Sequence, residues 1–185
     1  MELAERVIGA LASSPAVKEI ELVGSRAEGR ATELSDWDFR LTTDHFEDLA
    51  GDLPQLVAEL EPLAQQWDRL SPSWCYMLIL RGPVKVDLIF SDEPHLDDPP
   101  WRPDADNLAA IDAHFWDWTL WLHAKEAAGK TDLVERELAK LFDHLLGPLG
   151  ATRTPSSVAE AVASYRALRD HPTELENAVA PALTR

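Results

Sequence analysis

The sequence has a single cysteine, few basic residues and no long apolar run. With Cys75 alone among 185 residues, the chain cannot form an internal disulfide and offers no cysteine cluster for zinc. No apolar run approaches the roughly 18 residues that cross a bilayer. Residues 1–15 also lack the basic segment of a secretory signal. We therefore expect a cytoplasmic protein with no membrane association.

Basic residues are outnumbered by acidic ones, 17 against 33, which leaves a net charge of −16. A field of this sign repels a polyanion, so bulk nucleic acid is disfavoured as a partner. Cationic molecules and divalent metals are favoured. Many acidic proteins carry such charge only because it keeps them soluble, so the preference for a cationic substrate is slight.

The patterning indicates a mixed α/β region followed by helices. In the first region we predict helices over 2–13 and 53–65, a helical turn over 26–31, and strands over 17–23, 36–42, 74–81 and 84–91. After an Asp- and Pro-rich loop over 92–104, we predict helices over 105–128, 131–146 and 156–169, and a short helix or loose tail over 171–185. The expected fold class is α+β. A mixed sheet of four to five strands flanked by helices occupies residues 1–100, and a helical bundle occupies residues 101–185.

Three aspartates stand out against this background. Asp36 and Asp38 are two apart on a predicted strand, so their side chains leave the same face. Asp87 interrupts the apolar run of another strand. If these strands are neighbours, three carboxylates converge and need protons or cations between their oxygens. The alternatives are a solvated strand edge for the first pair and an ion pair of Asp87 with Lys85 or Arg81.

A glycine-punctuated turn precedes the first two aspartates, in 24-GSRAEGRATELSDWDF-39. Gly24 permits close backbone approach, and Ser25 adds a hydroxyl beside N–H groups at the start of a helical turn. Such a turn can seat a phosphate. A phosphate seat with three carboxylates is typical of metal-assisted phosphoryl or nucleotidyl transfer.

This stretch, together with Asp87 in the later 86-VDLIF-90 run, resembles the signature of the DNA polymerase β-type nucleotidyltransferase superfamily. It is most similar to the small bacterial aminoglycoside- and lincosamide-type nucleotidyltransferases and their minimal relatives. The likeness covers roughly residues 1–90. A weaker likeness lies in 115-FWDWTLWLHAKEAAGK-130, which is similar to the aromatic helix that follows the catalytic domain in several such enzymes.

The resemblance implies roles for individual residues. Asp36 and Asp38 would hold two Mg²⁺ ions and the nucleoside triphosphate. Asp87 would complete one metal site and help activate the attacking hydroxyl. The expected phosphate contacts are Gly24, Ser25, Arg26 and Lys125. For Lys125, a lysine that complements the helix dipole is an equal alternative.

The implied reaction is Mg²⁺-dependent transfer of AMP from ATP, or of another nucleoside monophosphate, to a hydroxyl of a small molecule, with release of pyrophosphate. An aminoglycoside-like cation is the candidate acceptor, which would make the protein an antibiotic-resistance enzyme. Two alternatives stay open: modification of a protein partner, as in toxin–antitoxin pairs, and a non-catalytic nucleotide-binding module. A homodimer that shares one site between its chains also stays open.

Several other reactive or aromatic residues are assigned to packing. Cys75 lies in an apolar strand and is expected to be a buried hydrophobe. Most of the stripe formed by Trp116, Trp118 and Trp121 is expected in the core. For a polycationic acceptor, one possibility stays open: its pocket is lined by acids of the linker and of the next helix, namely Asp97, Asp98, Asp104 and Asp106 with Asp112 or Asp117.

Overall fold

A computed structural model describes residues 2–184 of the chain. It divides into two compact units, Met1–Asp97 and Asp98–Arg185. The division into a catalytic domain over residues 1–100 and a helical domain over residues 101–185 stays a prediction. Among the described residues, no helix combines the length and apolar character required to cross a membrane.

The N-terminal unit is a five-stranded sheet with helices. Its elements are α1 (Leu3–Leu11), β1 (Glu19–Val23), α2 (Gly24–Ala27), β2 (Trp37–Thr42), α3 (Phe46–Leu56), a 3₁₀ turn (Val57–Leu60), β3 (Ala64–Trp67), β4 (Ser73–Leu80) and β5 (Val84–Pro94). The strand order is β1-β2-β5-β4-β3. The β2–β5 pair is parallel, and the other pairs are antiparallel. The sheet is therefore mixed, and β2 lies directly beside β5.

One face of this sheet carries the hydrophobic core. Phe39 of β2 and Leu88 of β5 are fully buried and contribute to a cluster with side chains of α1 and α3. Strand side chains alternate between faces, so Asp38 and Asp87, each one residue before these core residues, leave the opposite face. The apolar alternation predicted for the second strand thus decides which face is acidic.

The predicted helix over 53–65 is wrong in both its start and its end. Helix α3 begins at Phe46, and helical backbone ends at Leu60, where Glu61 follows in the left-handed region with φ of 52°. Residues Ala64–Trp67, AQQW, form strand β3 on the sheet edge against β4. Strand β5 also runs to Pro94, three residues into the predicted loop over 92–104.

The C-terminal unit is helical. It contains α4 (Leu108–Ala127), α5 (Thr131–Leu141) with a π-helical extension (Phe142–Leu146), α6 (Val158–Ala167), α7 (Glu174–Val179) and a 3₁₀ turn (Ala180–Thr184). Every residue from Ile111 to Thr119 is buried, so α4 is the central helix of this unit. Of the two alternatives predicted for residues 171–185, the structure shows the short helix, α7. The α+β fold class is confirmed.

A buried carboxylate connects the helices of this unit. Asp112 Oδ1 accepts hydrogen bonds from Trp116 Nε1 at 3.1 Å, the Tyr165 hydroxyl at 2.8 Å and Arg169 Nη1 at 3.3 Å. Its Oδ2 accepts from Thr173 Oγ1 at 2.6 Å. Burial and the adjacent Asp112 charge raise the pKa of Tyr165 above its ordinary value. The Asp112 carboxylate is therefore a structural centre of the helical unit, and its buried hydrogen bonds argue against the open possibility that it lines an acceptor pocket.

The other packing assignments agree with the structure. Trp116 is fully buried and Trp118 nearly so, whereas Trp121 is only partly buried. Cys75 is buried in β4. The prediction that most of the tryptophan stripe lies in the core is confirmed.

Candidate active site

The three predicted aspartates converge. Strands β2 and β5 run parallel with Asp38 directly opposite Asp87, and Asp36 lies one residue before β2 on the same side. One oxygen from each carboxylate lies within 4.8 Å of the other two. Three carboxylates this close repel one another strongly unless a cation or proton lies among them. Hard oxygen ligands of this kind suit Mg²⁺, which is usually bound by a few carboxylates with water and substrate phosphates.

Gly24 is shaped to this cluster. It follows β1, whose last residue Val23 pairs with Asp38, and it has a φ of 69°. A Cβ atom added at Gly24 would lie 2.3 Å from Asp38 Oδ2. Only glycine satisfies both the left-handed backbone and this close approach. The turn therefore brings the backbone directly against one carboxylate of the cluster.

Arg26 fixes the segment that leads into the aspartates. Its Nε donates to the carbonyl oxygen of Asp36 at 2.9 Å, and its Nη2 donates to that of Ser35 at 2.6 Å. The guanidinium carbon lies 4.1 Å from the ring centroid of Trp37. Burial lowers the pKa of Arg26, and the charges of Asp36 and Asp38 oppose this. These contacts support the backbone of the site, while the predicted contact of Arg26 with phosphate stays a prediction.

Asp87 has a second partner besides the cluster. The Lys85 Nζ donates to Asp87 Oδ1 at 2.5 Å, and the two side chains are only 8% and 14% exposed. Burial raises the pKa of Asp87, the Lys85 ammonium lowers it, and the carboxylates of Asp36 and Asp68 raise it further. The ion pair that was an alternative to the acidic cluster therefore coexists with it.

Asp68 is a nearby acid that sequence patterns did not indicate. It follows β3, its backbone N–H donates to the Cys75 carbonyl at 2.8 Å, and its Oδ1 accepts from the Leu70 N–H at 2.9 Å. Its charge acts on Asp87. Because β3 itself was not predicted, nothing in the sequence placed Asp68 beside β4 and β5.

The remaining predicted contacts lie on α2 and α4. Ser25 is in the single turn of α2, where its carbonyl oxygen accepts from the Arg30 N–H at 2.9 Å. Lys125 is in the last turn of α4 in the C-terminal unit, with its Nζ 5.1 Å from the ring centroid of Trp121. Their contacts with phosphate stay predictions.

Comparison with known proteins agrees with this geometry. Residues 4–95 match the model of the nucleotidyltransferase domain family. This segment holds all three aspartates and all of the N-terminal unit except three residues at its start and two at its end. The N-terminal unit therefore contains a nucleotidyltransferase domain, which agrees with the predicted membership of the DNA polymerase β-type superfamily.

Solved structures show more distant likenesses. The structure of a cytoplasmic RNA terminal U-transferase is 15% identical, with a TM-score of 0.38, over 67% of this chain and 38% of that chain. The structure of the GLD-2/RNP-8 complex is also 15% identical, with a TM-score of 0.37, over 90% of this chain and 47% of that chain. The chain thus spans less than half the length of either. No curated protein matches it.

Proposed function

We propose that the protein transfers a nucleoside monophosphate, AMP from ATP, to a hydroxyl group of a small molecule in a Mg²⁺-dependent reaction that releases pyrophosphate. The observation that carries this proposal is the convergence of Asp36, Asp38 and Asp87 oxygens within 4.8 Å of one another. The family of the N-terminal unit supports the same reaction class.

The donor set fits the divalent metal that this family typically uses. Asp36, Asp38 and Asp87 would hold Mg²⁺, with two ions as the expected number, and Gly24 leaves the space beside Asp38 that a Cβ would fill. When bound, such ions neutralise the developing charge on phosphate oxygens and on the attacking and leaving oxygens.

The chain's own residues prepare the reacting groups. Lys85 Nζ donates to Asp87 Oδ1, so we assign the other oxygen, Oδ2, to bind an ion or to accept the proton of the acceptor hydroxyl. Arg26 keeps Asp36 in place through its backbone, and Ser25 with the Gly24 backbone would contact the β- and γ-phosphates.

The acceptor is proposed to be a cationic, hydroxyl-rich molecule of the aminoglycoside kind. The support for this class is the net charge of −16, which attracts a polycation and raises its local concentration. The same negative field would repel a polyanionic acceptor.

The test is transfer of label from α-phosphate-labelled ATP with Mg²⁺ to a panel of aminoglycosides, lincosamides and proteins from a cell extract. We expect labelled small molecule and stoichiometric pyrophosphate with the wild type, and no transfer with Asp38→Asn. Asp44→Asn removes an exposed carboxylate from the same unit and should retain activity. Label on a protein instead would contradict the acceptor class. Transfer that persists in Asp38→Asn would contradict the assigned site.

A further inference from the structure

Lys85 is a buried lysine on the acidic face of the sheet. It lies two residues before Asp87 on β5, so both side chains leave the same face, and its ammonium is 2.5 Å from Asp87 Oδ1. Burying an ammonium costs free energy that an ion pair only partly offsets. An apolar residue of similar size would pack at such a position without that cost.

The strand neighbours support this comparison. Lys85 pairs with Ile79 and Asp87 pairs with Met77 on β4, and both of these β4 side chains are almost fully buried. The surroundings on that side are thus apolar, and Lys85 brings a positive charge to three converging carboxylates. Fold stability alone does not account for a lysine here.

We propose that Lys85 is a positioning residue whose ammonium takes the place of a cation at Asp87 Oδ1 in the metal-free protein and thereby weakens the binding of a free divalent ion by the three aspartates. This inference rests on the proposed function, because it takes the aspartates as metal ligands. Its consequence is that the cluster needs the additional oxygen ligands of a nucleoside triphosphate for full occupancy by metal.

Two effects produce this weakening. The ammonium donates to Asp87 Oδ1, an oxygen that a metal ion would otherwise use as a ligand. Its positive charge also repels a divalent cation across a few ångströms. Removing the charge while keeping the side-chain volume should therefore strengthen metal binding. Lys85→Met is the variant that does this, and Lys85→Arg retains the charge.

The experiment measures Mn²⁺ binding to the full chain without nucleotide, by the electron paramagnetic resonance signal of free Mn²⁺. We expect Lys85→Met to bind Mn²⁺ about tenfold more tightly than the wild type, since one repelling unit charge is removed. Lys85→Arg should bind like the wild type. Lys18→Met removes a charge from an exposed ion pair with Asp44 in the same unit, and it should leave the affinity within about twofold.

Circular dichroism checks that each variant is folded. If Lys85→Met is not folded, Lys85→Gln, which is also neutral, replaces it. An unchanged or weaker affinity in the folded neutral variant would overturn the proposal. So would a tenfold gain in Lys18→Met, because the effect would then come from net charge alone.

Failure of this inference and failure of the proposed function have different results. If Asp38→Asn binds Mn²⁺ as tightly as the wild type, the ion lies elsewhere and the metal assignment itself is wrong. If Asp38→Asn loses Mn²⁺ binding but Lys85→Met gains none, only the role of Lys85 is wrong. If the wild type transfers no label but Lys85→Met binds Mn²⁺ more tightly, the metal site and the role of Lys85 stand and the proposed reaction is wrong.

Discussion

Replacing Gly24 by alanine should separate the construction of the site from the stability of the fold. The added Cβ would lie 2.3 Å from Asp38 Oδ2, whereas ordinary contact begins at 3.4 Å. The Asp38 carboxylate must therefore move by about 1 Å, a displacement that can cost on the order of a hundredfold in activity. We expect Gly24→Ala to weaken Mg²⁺-dependent ATP binding at least tenfold and to reduce transfer about a hundredfold.

Gly29 provides the matched control. Its φ of 67° nearly equals the 69° of Gly24, but a Cβ at Gly29 would meet nothing within 4 Å. The left-handed backbone costs about 1–2 kcal/mol for alanine, offset by a few tenths to 1 kcal/mol from the less flexible unfolded chain. Each variant should therefore lose about 1 kcal/mol of unfolding free energy from its backbone.

Urea denaturation and calorimetric titration of ATP with Mg²⁺ measure the two effects. Gly29→Ala should lose stability but bind ATP like the wild type, whereas Gly24→Ala should lose both. Equal ATP binding by Gly24→Ala and the wild type would refute the reasoning, because it would show that the Asp38 carboxylate does not need its described position.

Three further predictions concern the helical unit. Asp112→Ala should lower the unfolding free energy by about 3 kcal/mol in urea denaturation, since two buried and two partly buried donors lose their acceptor. Asp44→Ala, in an exposed ion pair, should cost less than about 1 kcal/mol. Hydrogen bonds from the Ser156 backbone and hydroxyl lower the pKa of Glu160, so Glu160→Gln should lower the melting temperature at pH 7, and this difference should disappear as pH falls through the lowered pKa. Equal destabilisation at all pH values would contradict that assignment. Lys125→Gln should weaken calorimetric binding of ATP with Mg²⁺ about tenfold if Lys125 contacts phosphate, and Lys130→Gln should not.

The core of the candidate site was predictable because its determinants are local. The two-residue spacing of Asp36 and Asp38 and the alternation of the second strand fix a common face for both carboxylates. The adjacency of β2 and β5 was only a condition of the prediction, since strand order depends on contacts between distant segments. The register that places Asp38 opposite Asp87 meets this condition.

Features that depend on distant partners were missed. The sequence AQQW of β3 has no apolar alternation, and its extended form comes from pairing with β4. Asp68 was overlooked for the same reason. The Asp112 network joins residues 53, 57 and 61 positions apart, a separation that no local pattern reports. The sequence left the ion-pair partner of Asp87 open between Lys85 and Arg81. In the structure the partner is Lys85, which is buried beside Asp87 on the same face of β5.

The most direct test of the account is calorimetric titration of ATP into the wild type and Asp38→Asn, each with Mg²⁺ and with a chelator instead. The central claim is that Asp36, Asp38 and Asp87 form a metal-dependent nucleotide site. It predicts that the wild type binds ATP only when Mg²⁺ is present. ATP binding should be lost when the metal is chelated, and also in Asp38→Asn. Binding that is independent of metal, or equal in the variant, would contradict it.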